Sequence, residues 1–168
     1  VEITELDPTF KFDVAHEPGG EQIMRCFACG TCTASCPVRE IDEKFNPRRI
    51  IRMVLLGMRH EVLSSDFIWL CSTCYSCQER CPQDVKITEL MSAICNLAVK
   101  SGYLPAGYKI QLDLIHRMGR LYEIDEFDNK KRAKAGLPEL ESTNEDVKKI
   151  YAMTGADRLL EGAGGGGE

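Results

Sequence analysis

The chain has 168 residues, 43% of them hydrophobic, with 26 acidic and 21 basic side chains and a formal net charge of −5. That length and apolar content suit one globular domain with extensions and exclude a disordered tail, while the acidic balance argues against a nucleic-acid-binding surface. No apolar run reaches membrane-spanning length, since the best stretch, Ile50 to Met58, is broken by Arg52 and Gly57.

The opening VEITELDPTF is acidic and has neither a basic leader nor an apolar segment. A reducing cytoplasm is therefore expected, and the nine cysteines read as metal or redox ligands instead of disulfides. From Thr9 to Val14 polar and apolar residues alternate, which places Phe10, Phe12 and Val14 on one side and predicts a short strand. It belongs to an N-terminal arm, residues 1–20, that ends at the turn Pro18-Gly19-Gly20. The arm either pairs with a partner's sheet edge or folds over the chain's own helices.

Glu21 to Arg25 leads into a first cysteine run, Cys26, Cys29, Cys32 and Cys36, closed by Pro37. Asn46 then reads as an N-cap and Pro47 as the first residue of an amphipathic helix over 47–60. Its buried side is Ile50, Ile51, Val54, Leu55 and Met58. Arg48, Arg52 and Arg59 gather opposite, either as a solvated face or as a docking surface for an acidic partner. Ser64-Ser65-Asp66 caps a short helix, Phe67 to Leu70, that delivers a second run: Cys71, Cys74, Cys77, Cys81 and Pro82.

A long helix follows over 88–100, with Leu90, Met91, Ile94, Leu97 and Ala98 inward and Gly102 as a stop signal. Another is predicted over 106–122. Beyond Asp125 a mixed-charge stretch precedes a capping-box candidate, Ser142-x-x-Glu145, and a short helix carrying Val147, Ile150 and Tyr151. Residues 162–168 read as a flexible tail. Its Gly162, Gly164 and Gly167 match G-x-G-x-x-G only literally, because dinucleotide binding needs a strand before and a helix after.

The two runs share one pattern, C-x2-C-x2-C-x3-C-P, with each member displaced by 45 residues. This is the ligand pattern for two [4Fe–4S] clusters in which the fourth cysteine of each run serves the other cluster. Cys26, Cys29, Cys32 and Cys81 are thus expected to hold the first cluster, and Cys71, Cys74, Cys77 and Cys36 the second. Small or polar residues fill the gaps, Ala28, Gly30 and Thr31 in one run and Ser72, Thr73 and Ser76 in the other. They let backbone N–H groups approach the sulfurs, which, with burial and charge, sets cluster potential. Arg80 raises a potential if it acts alone, and Glu79 offsets it. Helices separate the runs, so the fold class is mainly α: a helical two-cluster ferredoxin domain over 21–103, the strand-like arm before it and a helical extension over 104–161.

Both clusters would be saturated with thiolates. The chain is therefore expected to move single electrons and to hold no catalytic residue. Zinc is the chemical rival, but its sites pair two C-x2-C knuckles across a spacer. Cys95 stands outside both runs on a helix stripe with Met91 and Ala98, where a thiol acts as a small hydrophobe. His16, His60 and His116 are isolated and read as structural or surface residues. Trp69 and Phe67 either shield a cluster or pack the core.

At CFACGTCTASCP, NPRRIIRMVLLG and CSTCYSCQERCP the chain resembles the iron–sulfur C-subunit family of heterodisulfide reductase from methanogenic archaea, over about residues 20–103. Related modules occur in anaerobic glycerol-3-phosphate dehydrogenase, fumarate and succinate oxidoreductases and lactate-utilisation proteins. Succinate-type subunits add an N-terminal [2Fe–2S] set, yet no cysteine precedes Cys26, and the Cys-Cys pair found in the CCG motifs of the heterodisulfide-reducing subunit is missing. The resemblance implies a place in a soluble complex. Electrons would leave the flavin of a flavin- and iron–sulfur-bearing subunit, cross the two clusters and reach the catalytic CCG-motif subunit, where the coenzyme M–coenzyme B disulfide is reduced. It also implies hydrogenase or formate dehydrogenase as electron source. Apart from redox work, a metal-stabilised interaction module remains the other class.

Overall fold

The computed structural model describes residues 5–159. Among them the regular structure is helical, and the chain divides into two units, residues 1–103 and 104–168. The Gly-rich tail and its G-x-G-x-x-G match lie outside the described residues.

In the first unit, α1 (Phe10–His16), α4 (Pro47–Leu55), α5 (Arg59–Leu63) and α7 (Ile87–Lys100) surround the core. Shorter helices α2 (Thr31–Ala34), α3 (Pro37–Ile41) and α6 (Ser76–Glu79) carry or follow the cysteine runs. Single 3-10 turns, Ile23–Arg25 and Phe67–Leu70, lead into Cys26 and Cys71. Phe10, Val14, Ile23, Phe45, Ile50, Ile51, Val54, Ile68, Leu90, Met91 and Ile94 are almost completely buried. Each large apolar side chain so removed from water contributes about 1.5–3 kcal/mol before chain entropy is counted.

The strand predicted over Thr9 to Val14 is a helix. Phe10 and Val14 stand four residues apart, so they share a helix face as readily as a strand face, and both are 0% exposed in α1. Phe12, the middle member of the alternation, is 48% exposed. Asp7 decides the outcome locally: its carboxylate accepts from the Thr9 amide at 2.9 Å and the Thr9 hydroxyl at 2.6 Å, which starts a helical turn. No second strand is available to pair with it among the described residues, and α1 packs against α4 and α7.

The helix expected over 47–60 is two helices. Asn46 accepts from the Arg49 amide at 3.0 Å, with Pro47 in the first turn, as the sequence indicates. The far end breaks at Gly57, which has φ +81°. The Asp7 amide donates to its carbonyl at 2.7 Å, and a Cβ there would lie 2.3 Å from the Asp7 carbonyl oxygen. The break separates Arg59 from Arg48 and Arg52. Arg59 instead pairs with Asp7 at 2.6 Å and with Asp13, its guanidinium 4.8 Å from the Phe10 ring centre. That clamp ties the loop before α1 to the start of α5.

In the second unit, α8 (Ala106–Met118) stops earlier than the expected 122 because Gly119 takes φ +65° and donates to the Ile115 carbonyl. α9 (Glu126–Lys134) occupies the stretch read only as mixed charge, and it holds the true capping box: Asp125 and Asp128 accept from each other's amides. Ser142 does not cap α10 (Glu145–Met153). Asn144 does, accepting from the Val147 amide at 3.2 Å, because it immediately precedes the first helical residue. α10 packs on α8, where His116 stacks on Tyr151 with ring centres 5.8 Å apart.

Two stability tests follow from the Asp7 contacts. Gly57→Ala forces a side chain into left-handed backbone and against Asp7, and should cost about 2 kcal/mol or more, read as a lowered anaerobic melting temperature. Asp7→Asn should cost about 1 kcal/mol at neutral pH, reduced from the full linkage value because the pair is partly solvated. The Thr9 and Arg59 hydrogen bonds hold the Asp7 carboxyl at about 2, below its ordinary 3.8. The contribution is therefore complete above pH 3.8 and fades as pH falls towards 2. Unchanged melting in either variant contradicts the clamp.

Candidate metal centres

Each cysteine run is folded by the same local device. The residues flanking the middle cysteine are left-handed in both copies: Ala28 (φ 60°) and Gly30 (φ 91°) around Cys29, Thr73 (φ 51°) and Tyr75 (φ 63°) around Cys74. Only glycine adopts this conformation without penalty, so three of these four positions hold strain of about 1 kcal/mol each. The two reversals wrap the chain so that three sulfurs face a common recess. The next four residues then form α2 and α6, which bury Cys32 and Cys77 and pack against each other.

The eight cysteines fall into two recesses. Cys26, Cys29, Cys32 and Cys81 line one of about 340 Å³, open mouth included, with Phe27, Pro82, Val85 and Ile87 among its walls. Cys36, Cys71, Cys74 and Cys77 line another of about 320 Å³ with Val38, Phe45, Pro47 and Met91. The fourth cysteine of each run thus sits with the first three of the other. Ile87, at the start of α7, belongs to both walls, so the recesses are neighbours.

Local hydrogen bonds differentiate the sulfurs. Thr31, whose hydroxyl lies 3.4 Å from the Cys29 sulfur, holds that thiol below its ordinary pKa, and the Ser76 amide and hydroxyl do the same for Cys74. Burial pushes Cys32 up to about 11 and also raises Cys71 and Cys77. The buried hydroxyl of Thr88 stands 3.8 Å from the Cys77 sulfur, and the Val85 amide donates to the Cys81 sulfur at 3.4 Å. Deprotonating such thiols inside an apolar wall requires a cation to hold them.

The donor set fits a [4Fe–4S] cluster: four thiols per recess, apolar walls and hydrogen-bond donors at sulfur. Among the described residues no three His, Cys, Asp or Glu side chains gather closely enough for one metal ion.

Other sequence candidates lie elsewhere. Cys95 donates to the Ile68 carbonyl at 3.5 Å, and burial pushes its pKa up to about 12, as for an inert thiol. His16 is exposed, His60 meets the Tyr103 ring edge-on, and none of the three histidines lines either recess. Phe67 and Trp69 pack against the core. Arg80 and Glu79 are exposed and line neither recess.

Arg48 is exposed, as expected opposite the buried side of its helix, but it also has a place at the first recess that no sequence pattern indicated. It lines the first recess against Gly30, brought there by a chain of contacts: its amide donates to the Thr33 hydroxyl at 3.1 Å, and that hydroxyl donates to Asn46 at 2.8 Å. Only the polar Thr33 inside the cysteine run and the Asn46 cap hinted at this tie.

Residues 22–85 match a family model described as a 4Fe–4S dicluster domain. The chain is 37% identical over 149 residues to the C subunit of the H2:CoB–CoM heterodisulfide,ferredoxin reductase of Methanothermobacter thermautotrophicus, covering 84% of this chain and 80% of that protein. It is 33% identical to the iron–sulfur C subunit of the CoB–CoM heterodisulfide reductase of Methanopyrus kandleri, covering 93% and 88%. The C subunit of the ferredoxin:CoB–CoM heterodisulfide reductase of Methanosarcina mazei is 40% identical, covering 74% and 76%. With two cysteine quartets in a dicluster domain and this likeness along most of its length, the chain belongs to the iron–sulfur C-subunit family of heterodisulfide reductase.

Proposed function

We propose that the chain is an electron-transfer subunit with two [4Fe–4S] clusters, one held by Cys26, Cys29, Cys32 and Cys81 and the other by Cys71, Cys74, Cys77 and Cys36. When bound, such clusters supply reversible one-electron chemistry at potentials that the protein tunes. The observation that carries this reading is the sorting of eight cysteines into two adjacent recesses that share Ile87.

The chain's own residues then have definite tasks. The left-handed turns present three thiols, the crossed fourth thiols tie the halves of the domain together, and the apolar walls exclude water. Thr88, Thr31 and the Val85 amide offer hydrogen bonds that favour the more negative, reduced state.

In this reading the chain works in the cytoplasm within a heterodisulfide reductase complex. It takes electrons from a flavin-bearing subunit, which also holds iron–sulfur centres, and passes them to the catalytic subunit, which reduces the coenzyme M–coenzyme B disulfide. The names of the relatives, each a C subunit of a CoB–CoM heterodisulfide reductase, support a place in such a complex.

Anaerobically purified protein should contain about eight irons and eight sulfides, with visible absorbance that a reductant bleaches and reoxidation restores. Four irons or fewer, or colour that no reductant bleaches, contradicts the relay. Cys81→Ala should damage the cluster of Cys26, Cys29 and Cys32 and lower iron to about four; selective loss of the other cluster refutes the crossover. Thr88→Val should keep the iron content and move the potential of the second cluster to a more negative value in a redox titration followed by electron paramagnetic resonance. An unmoved potential denies Thr88 a tuning role.

A further inference from the structure

The exposed side of α4 forms an open groove lined by Ala28, Asn46, Arg48, Arg49, Arg52 and Leu56, with Met53 at its floor. The three arginines are exposed. Arg39 pairs with Glu43, and Arg59 is clamped by Asp7 and Asp13, but no carboxylate among the described residues pairs with Arg48, Arg49 or Arg52. On a chain of net charge −5, a groove with three cations and no acidic lining is a local reversal of sign.

Its place matters as much as its charge. Ala28 and Arg48 line both this groove and the first cysteine recess. Exposed apolar side chains lie in and next to its lining: Leu56 in the groove at 52%, and Phe27, which precedes the groove residue Ala28 and lines the first recess, at 61%. Arginine, methionine and aromatic residues are the types enriched where protein surfaces meet. The Asn46 cap and the Thr33 hydroxyl fix the start of α4, so the arginines are presented from a fixed platform.

We propose that this groove is the docking surface for a redox partner with a carboxylate-rich face, which places that partner beside the first cluster and makes that cluster the port of exchange. The proposal rests on the two-cluster relay reading and adds to it a face, a partner charge and an end of the relay. Cations outside a buried contact act chiefly by steering encounter, so they set association rate and salt dependence.

The test uses the cluster-loaded protein and, as probes, the purified flavin-bearing and heterodisulfide-reducing subunits, with binding kinetics followed anaerobically across ionic strength. Arg49→Glu/Arg52→Glu leaves the recess lining intact, and its iron content should equal the wild type's. It should bind one of the two subunits at least about tenfold more weakly at low salt, mainly through slower association, and with a flatter salt dependence. Arg49→Lys/Arg52→Lys, which keeps the charge, should retain most of the affinity. Equal binding by the Glu pair, or equal loss in both pairs, overturns the docking surface while leaving the relay intact. If the wild type binds neither probe, the docking surface falls as well. Failure of the relay itself is read separately, from iron content and bleaching of the same preparations.

Discussion

One constraint organises the fold: each of two recesses gathers four thiols, the fourth coming from the other cysteine run. Cys81 reaches the recess of Cys26, Cys29 and Cys32, and Cys36 reaches that of Cys71, Cys74 and Cys77. Neither recess can be built from one half of the repeat. The order of elements follows from this, since α4, α5 and the 3-10 turn before Cys71 must return the chain alongside its first copy. α7 then closes both recesses with its first turn, where Ile87 is shared and Thr88 faces Cys77.

The same constraint accounts for strain that the chain would otherwise avoid. Tyr75 is a bulky residue in left-handed backbone, and Ala28 and Thr73 join it at equivalent places in the repeat. Local penalties that recur at the ligand loops and nowhere in the long helices are the mark of geometry imposed by function. In the relay proposed above, cluster binding at eight thiols would offset such costs and couple folding to cluster loading.

The cysteines sort between the two recess linings as the duplicated spacing of the runs suggests, the fourth of each with the first three of the other. α7 was legible because its apolar stripe is long and regular, and its start was missed by one residue. The failures have tertiary causes. Phe10 and Val14 satisfy both periodicities, and only the Asp7–Thr9 turn and the packing on α4 and α7 choose the helix. The break after Leu55 is set by Asp7 lying against Gly57, fifty residues away in sequence. α9 was missed although Asp125 and Asp128 form a cap, because it has no apolar stripe and no buried residue. The nearness of Arg48 to the first recess depends on Thr33 meeting Asn46 and had no local pattern.

The proposed relay rests on crossed sharing of cysteines between two clusters. Anomalous difference maps at the iron edge from crystals of anaerobic holo-protein test it most directly. Crossed ligation gives two compact four-iron peaks, with Cys81 bonded to the one that Cys26, Cys29 and Cys32 surround and Cys36 bonded to the other. Peaks in which each run supplies all four of its own cysteines, or isolated single-metal peaks, would contradict it.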